Sequence, residues 1–140
     1  MTQESFLTLV KSFLDLARPF TLLAPAVGIL AASAMASAGF PPLLAFVCAL
    51  AAALLNGAAN AANQCFDVGI DRINKPGRPL PSGRIGLRSA APFSALLYAG
   101  SLFLSFCVSR NVFLIFLFTA LLTFLYSAPP FRFKQHVFTA

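Results

Sequence analysis

Apolar residues run through this chain in four long blocks, at about 20–38, 43–63, 90–108 and 112–128, with few polar side chains inside them. A helix needs roughly 20 mostly apolar residues to cross a bilayer. The pattern therefore predicts an all-α integral membrane bundle with four spans. Before the first block, Phe6, Leu9, Val10, Phe13 and Leu14 recur at helical spacing beside Lys11 and Asp15, as in a short helix lying in the interface. Arg18-Pro19 opens the first span, since proline is tolerated in a first helical turn. The small residues of Ala31–Ala38 resemble a signal-peptidase site, but the apolar run exceeds a typical 7–15-residue signal core, and a membrane span is expected instead. Gly39-Phe40-Pro41-Pro42 and Ser109-Arg110-Asn111 read as tight turns between antiparallel helices. The segment 72–88 is polar, basic and rich in Gly and Pro, and is expected as a loop at the membrane surface.

Composition agrees with the pattern. The chain is 59% hydrophobic and 10% charged, with a mean hydropathy of +0.82, beyond what the core of a soluble domain of this size calls for. Three cysteines without a CxxC spacing and a single histidine, His136, support neither a disulfide framework nor a zinc site. A net charge of +6 could serve nucleic acid, but the charges fall between the apolar blocks. With a cytoplasmic N-terminus, Lys11, Arg18, Arg72, Lys75, Arg78, Arg84, Arg88, Arg132 and Lys134 lie inside and only Arg110 outside. That partition follows the positive-inside rule. Both termini are expected on the cytoplasmic side, in the cell's inner (plasma) membrane.

The chemistry is concentrated between Asn56 and Gly83. At about 100° per residue, Asn56, Asn60, Asn63, Gln64, Asp67 and Asp71 fall within an arc of roughly 100°. Lipid cannot satisfy these groups, so the stripe is expected to face a protein-lined cavity. Asp67 and Asp71, at i and i+4, share a face one turn apart. Two carboxylates with amide oxygens suit magnesium, which takes one or two carboxylates and completes its shell with water and phosphate. Arg72, Lys75, Arg78 and Arg84 follow directly and can neutralise phosphate oxygens. The residue types alone also allow plainer readings: the aspartates could pair with Arg72 and Lys75 at a helix end, and the asparagines could hydrogen-bond across helices.

Asn63-Gln64-Cys65-Phe66-Asp67-Val68-Gly69-Ile70-Asp71 resembles the first aspartate-rich motif of the UbiA superfamily of membrane prenyltransferases, NDxxDxxxD. The continuation from Arg72 to Gly83, reading RINKPGRPLPSG, is similar to the loop that follows it there, and Leu125-Tyr126-Ser127 with Pro129, Arg132 and Lys134 resembles the end of the fourth helix. Gln64 stands where the superfamily usually carries aspartate, although an Asn-Gln pair also resembles its homogentisate-prenylating branch; members using 4-hydroxybenzoate, geranylgeranylglycerol phosphate or a chlorophyll precursor share the motif. The resemblance implies that residues 1–140 correspond to the N-terminal half of a nine-helix fold, ending after the fourth span, with the second aspartate motif in the other half. It further implies transfer of a prenyl group from a magnesium-bound prenyl diphosphate to an aromatic or other lipophilic acceptor. Asn63, Asp67 and Asp71 would bind the metal, Asp67 and Asp71 would be catalytic, and Asn63, Arg72, Lys75, Arg78, Tyr126, Ser127 and Lys134 would contact the diphosphate. Little transfer is expected of these 140 residues alone; self-association or a separate second half is expected.

A non-catalytic membrane binding or assembly subunit is the alternative of another class. A cation channel would also place Asp and Asn in a membrane stripe, but the basic loop beside it opposes a cation path. The topology is checked by cysteine labelling. A cysteine at Gly77 is expected to react with a membrane-impermeant maleimide only from the cytoplasmic side, and labelling only from outside would reject the orientation.

Overall fold

The computed structural model describes residues 3–132. They form six helices: α1 (Gln3–Ala17), α2 (Pro19–Ser37), α3 (Leu43–Phe66), α4 (Val68–Asn74), α5 (Leu87–Val108) and α6 (Arg110–Ser127). Helices α2, α3, α5 and α6, of 19, 24, 22 and 18 residues, are each long and apolar enough to cross a membrane. The all-helical, four-span architecture expected from the hydrophobic blocks is thus observed. The loop is shorter than expected. Asp71 and Lys75 donate backbone bonds of 2.8 Å to the carbonyls of Asp67 and Asp71, which carries helix through residue 74. Pro76 then disfavours helical geometry at Lys75. With α5 starting at Leu87, the irregular segment is 75–86.

Helix α3 is the centre of the bundle, because it packs against α1, α2, α5 and α6. Its buried face is built from Ala45, Ala49, Ala52, Ala58, Ala61 and Ala62, and α5 answers with Ala90, Ser94, Ser101 and Ser105. Small side chains let the two backbones approach, closely enough for serine hydroxyls to reach across. Ser94 Oγ donates to the Ala58 carbonyl at 2.9 Å and Ser101 Oγ to that of Ala51 at 2.7 Å. Contacts that run in opposite directions along the two helices make the pair antiparallel. On the far side of α5, Tyr98 pairs with Thr123 and Phe106 with Phe113, so α6 is antiparallel to α5. The chain therefore runs up and down. Ala17, Phe66, Leu87 and Ser127 all arrive at one end of the bundle.

That end has its own core, formed by Leu16, Ala61, Leu80, Ile85 and Ala90. It seats α1 and the loop together. Arg18 separates α1 from α2 in a left-handed conformation, with φ of 57°, and its carbonyl accepts from both the backbone and the hydroxyl of Thr21. Phe13 stacks at 4.9 Å on Phe93, while Phe6, Leu7, Val10 and Leu14 remain exposed along α1. This is the two-faced helix expected in the interface. In the loop, Gly83 adopts a φ of +76°, a conformation that glycine takes without a Cβ penalty.

Gly57 lies where α1, α2, α3 and α5 meet. A Cβ there would stand 3.4 Å from Leu22, 3.5 Å from Leu97 and 3.7 Å from Ala17, which is ordinary contact with no room beyond it. Gly57→Ala is expected to hold or slightly raise stability through helix propensity, worth up to about 1 kcal/mol. Gly57→Leu is expected to cost about 1–3 kcal/mol by overpacking. Thermal unfolding in detergent micelles, followed by circular dichroism, checks both.

Candidate functional site

The polar stripe of α3 divides into two sets with different partners. Asn56 Nδ2 donates to the Thr21 carbonyl at 2.6 Å, Asn60 Nδ2 to the Ala17 carbonyl at 3.1 Å and to Thr21 Oγ1 at 2.8 Å, and the buried Gln64 donates to the Leu16 carbonyl at 2.7 Å. These three amides tie α3 to α1 and α2. The break at Arg18 leaves the Leu16 and Ala17 carbonyls, and Pro25, which has no N–H, leaves the Thr21 carbonyl, without a helical donor, and the amides take them. Of the expected stripe, the buried Gln64 is turned away from any cavity, whereas Asn56 and Asn60 also border open space. Asn63 belongs to the other set. It accepts at 3.1 Å from Ser127 Oγ on α6, and an open cavity of about 410 Å³ is lined by Asn60, Asn63, Thr123, Tyr126 and Ser127.

Asp67 sits at the junction of α3 and α4, with φ of −99° and ψ of 7°. Its amide still bonds to the Asn63 carbonyl at 3.0 Å and its carbonyl accepts from Asp71 at 2.8 Å. The i,i+4 ladder thus passes through the junction, and Asn63, Asp67 and Asp71 stay on successive turns. Neither aspartate pairs with Arg72 or Lys75, the partners that a helix-end reading suggested; both of those side chains are exposed. Instead the buried Asp71 accepts from Arg78 Nη1, and Asp67 Oδ1 lies 3.6 Å from Arg132 Nη2. Arg132 also donates to the Phe66 carbonyl at 2.7 Å. Its Nε is buried and has no hydrogen-bond partner among the described residues.

Two arginines not counted among the site residues thus stand at the site. Arg132 pairs with Asp67. Arg18 is the second: burial lowers its guanidinium from the ordinary value, the nearby positive charge of Arg78 pushes the same way, and Asp71 opposes both. Sequence spacing gave no signal for Arg18, which lies 53 positions before Asp71; only the break between α1 and α2 brings it in. Lys75, Arg78 and Arg84 share a separate open recess of about 420 Å³ with Asp15 of α1. Hence Arg72, Lys75 and Arg78 are not wall residues of the Asn63–Ser127 cavity, and neither are Asp67 and Asp71. Tyr126 and Ser127 are, whereas Lys134 lies outside the described residues.

Next to it, an apolar cleft of about 490 Å³ lies between α2 and α6, floored by Ala52, Leu55 and Ala59 of α3. Ala59 and Thr123 line both spaces. The two spaces therefore adjoin along α3 and α6. A polar mouth over an apolar trough suits an amphiphile with an anionic head. Among the described residues no group of three or more His, Cys, Asp or Glu is gathered as a metal cage, so any divalent ion here would rely on Asn63, Asp67 and Asp71. These are hard oxygen donors, and magnesium accepts such a sparse set when phosphate supplies the remainder.

The pattern of the UbiA prenyltransferase family matches residues 23–140. The chain belongs to the UbiA prenyltransferase family. Among curated relatives, the digeranylgeranylglyceryl phosphate synthase of Methanococcoides burtonii is 43% identical over 74 residues, covering 53% of this chain and 26% of the relative. That of Pyrococcus horikoshii is 35% identical over 119 residues, covering 84% and 43%. A solved structure described as giving structural and mechanistic insights into digeranylgeranylglyceryl phosphate synthase in membranes superposes with a TM-score of 0.85 at 31% identity, over 91% of this chain and 45% of that one. The chain spans less than half the length of these UbiA relatives.

The basic loop of this UbiA chain is held in place by Arg84. Its guanidinium donates to Asp15 at 3.0 Å, to the Gly77 carbonyl at 2.8 Å and to Ser82 Oγ at 3.2 Å. The ion pair is half-exposed and worth little alone, about 0–1 kcal/mol, but the three bonds act on one short segment. Arg84→Gln is expected to raise amide hydrogen exchange of residues 77–83 by about fivefold, equivalent to about 1 kcal/mol of local opening. Exchange in the middle of α3 and α5 should stay unchanged. Mass-spectrometric exchange in micelles reads both regions.

Proposed function

We propose that this chain supplies the donor-binding half of a magnesium-dependent membrane prenyltransferase that acts on a prenyl diphosphate and a lipophilic acceptor. Its relatives' names suggest a prenylated glyceryl phosphate as acceptor. The observation that supports this reading is the pair of adjoining spaces, one at Asn63, Tyr126 and Ser127 and one an apolar cleft between α2 and α6, at the end of the helix whose next turns carry Asp67 and Asp71. The diphosphate would lie at the mouth and the isoprenoid in the trough.

In that arrangement Asn63, Asp67 and Asp71 would hold magnesium, which when bound draws charge from the departing diphosphate. Ser127 fixes the amide of Asn63 by its bond to Oδ1. Tyr126, half-exposed in the mouth, can donate to a phosphate oxygen. Arg78 and Arg132 bring positive charge against the same site from the loop and from the end of α6. The walls contributed by Leu55, Ile115 and Phe116 exclude water from the allylic carbon as its bond to oxygen weakens. Aromatic faces nearby can stabilise developing positive charge.

Replacing Asp67 or Asp71 by Asn is expected to weaken magnesium-dependent binding of a prenyl diphosphate tenfold or more, on the order of 1.4 kcal/mol. Equilibrium binding of a radiolabelled donor to the chain in nanodiscs measures this, beside transfer to a lipid acceptor in the same membranes. Binding with little transfer is expected of a donor-binding half. Transfer that stays absent when a chain carrying the second aspartate motif is co-expressed would assign a binding or assembly role instead. Unchanged binding in the double variant would reduce both aspartates to partners of Arg78 and Arg132.

A further inference from the structure

The two aspartates meet arginines from different parts of the chain. Asp71 is paired with Arg78 of the loop, and Asp67 has Arg132, beyond α6, among its partners. The second pair is the less settled one. Arg132 reaches Asp67 only at 3.6 Å, beyond a good charged hydrogen bond. Its Nη2 is committed instead to the Phe66 carbonyl, and its Nε is buried without an acceptor among the described residues. Buried donors are almost always satisfied. The backbone at Arg132 also has a φ of 35°, unusual for a residue with a Cβ, and it is fixed by a 3.0 Å bond from its amide to the Ala128 carbonyl. The guanidinium is thus pinned at its base, 3.6 Å from a carboxylate, and among the described residues its Nε has no acceptor.

From this geometry we infer that Arg132 and a divalent cation compete for Asp67, and that a diphosphate resolves the competition by accepting from Arg132. The inference rests on the donor-binding function proposed above. A cation arriving alone must settle beside Arg78 and Arg132, and takes on their repulsion. A diphosphate arriving alone meets Asp67 and Asp71. When both arrive, the carboxylates turn to the cation and the guanidinium groups turn to phosphate oxygens, for which the planar fork of arginine is well shaped. Each ligand removes the obstacle to the other, which is a positive coupling between two sites. No bond is made or broken; only counter-ions change partners. Arg132 is in this sense a positioning and binding residue, and its exchange sets the order in which the site fills.

A mere tether between α6 and α3 would behave differently. Removing a tether weakens every ligand, whereas removing a competitor strengthens one of them. The test uses the whole chain in nanodiscs, with Mn²⁺ as the cation probe read by electron paramagnetic resonance and inorganic pyrophosphate as the anion probe. Arg132→Gln, which keeps a donor for the Phe66 carbonyl, is expected to bind Mn²⁺ alone about fivefold or more tightly than the wild type. Pyrophosphate should then enhance Mn²⁺ binding less. Asp67→Asn is the mirror variant: it releases Arg132, and metal-free pyrophosphate should bind about fivefold or more tightly, even as the metal-dependent complex weakens. The two variants are independent, so a folding failure in one leaves the other to decide. If the wild type binds Mn²⁺ with pyrophosphate but no folded variant gains affinity for its single probe, the competition is wrong and the donor site stands. If the wild type binds neither probe, singly or together, the donor site itself is wrong.

Discussion

Every polar group placed inside this bundle has to find a partner within the protein, because the surrounding hydrocarbon offers none. Helix α3 shows how the requirement organises the rest. It carries four amides in its second half, and three of them capture the main chain around Arg18. An unpaired amide in an apolar setting costs several kcal/mol, so these bonds decide where α1 ends, where α2 begins and how both lie on α3. The left-handed residue at the junction is the local strain of that arrangement, and such a conformation persists only where its surroundings over-determine it. The remaining amide, Asn63, is thereby left to face α6.

Electrostatics takes over where the bundle meets the surface. The end that gathers Ala17, Phe66, Leu87 and Ser127 also gathers Arg18, Arg78, Arg84 and Arg132 around three aspartates, Asp15, Asp67 and Asp71. The pairings are graded by burial. Arg84 and Asp15 form an exposed clasp on the loop, whereas Asp71 is buried with Arg78. A buried pair gains little over an apolar substitute, but losing one partner is expensive. This gradation separates a scaffold of loop and α1, which can open cheaply, from a charged centre that cannot lose a charge without receiving another.

Much of this was legible in the sequence, and the illegible part has a common cause. The four spans followed from block length alone, and the aspartate motif with its NKPGRPLPSG continuation pointed to UbiA before any contact was known. Helical period correctly put Asn63, Asp67 and Asp71 on successive turns. It could not tell that Asn56, Asn60 and Gln64, on the same arc, would be spent on α1 and α2, because a period reports a face and not what covers it. Nor could it pair the aspartates. Arg72 and Lys75 were nearest in sequence, yet the helix carries them to exposed positions. The partners come from the loop, Arg78, and from the end of α6, Arg132, over separations at which sequence distance says nothing about spatial distance.

The division of labour on α3 has a mechanical consequence. One side is fixed by short bonds to main-chain carbonyls, and the small-residue face is locked against α5 by Ser94 and Ser101. Asn63 is thus presented from a helix with little freedom to adjust, and Asp67 and Asp71 follow on the next two turns, at the junction and on α4. A hard cation with demanding geometry needs that rigidity, whereas a diphosphate, with several equivalent oxygens, needs adaptable donors. The donors at hand stand outside the central helix, Arg78 in the loop and Arg132 beyond α6. Carboxylates just beyond the end of the central helix, faced by guanidinium groups from the loop and from beyond α6, are the distribution that the proposed donor site would need to hold a metal while its anionic ligand comes and goes.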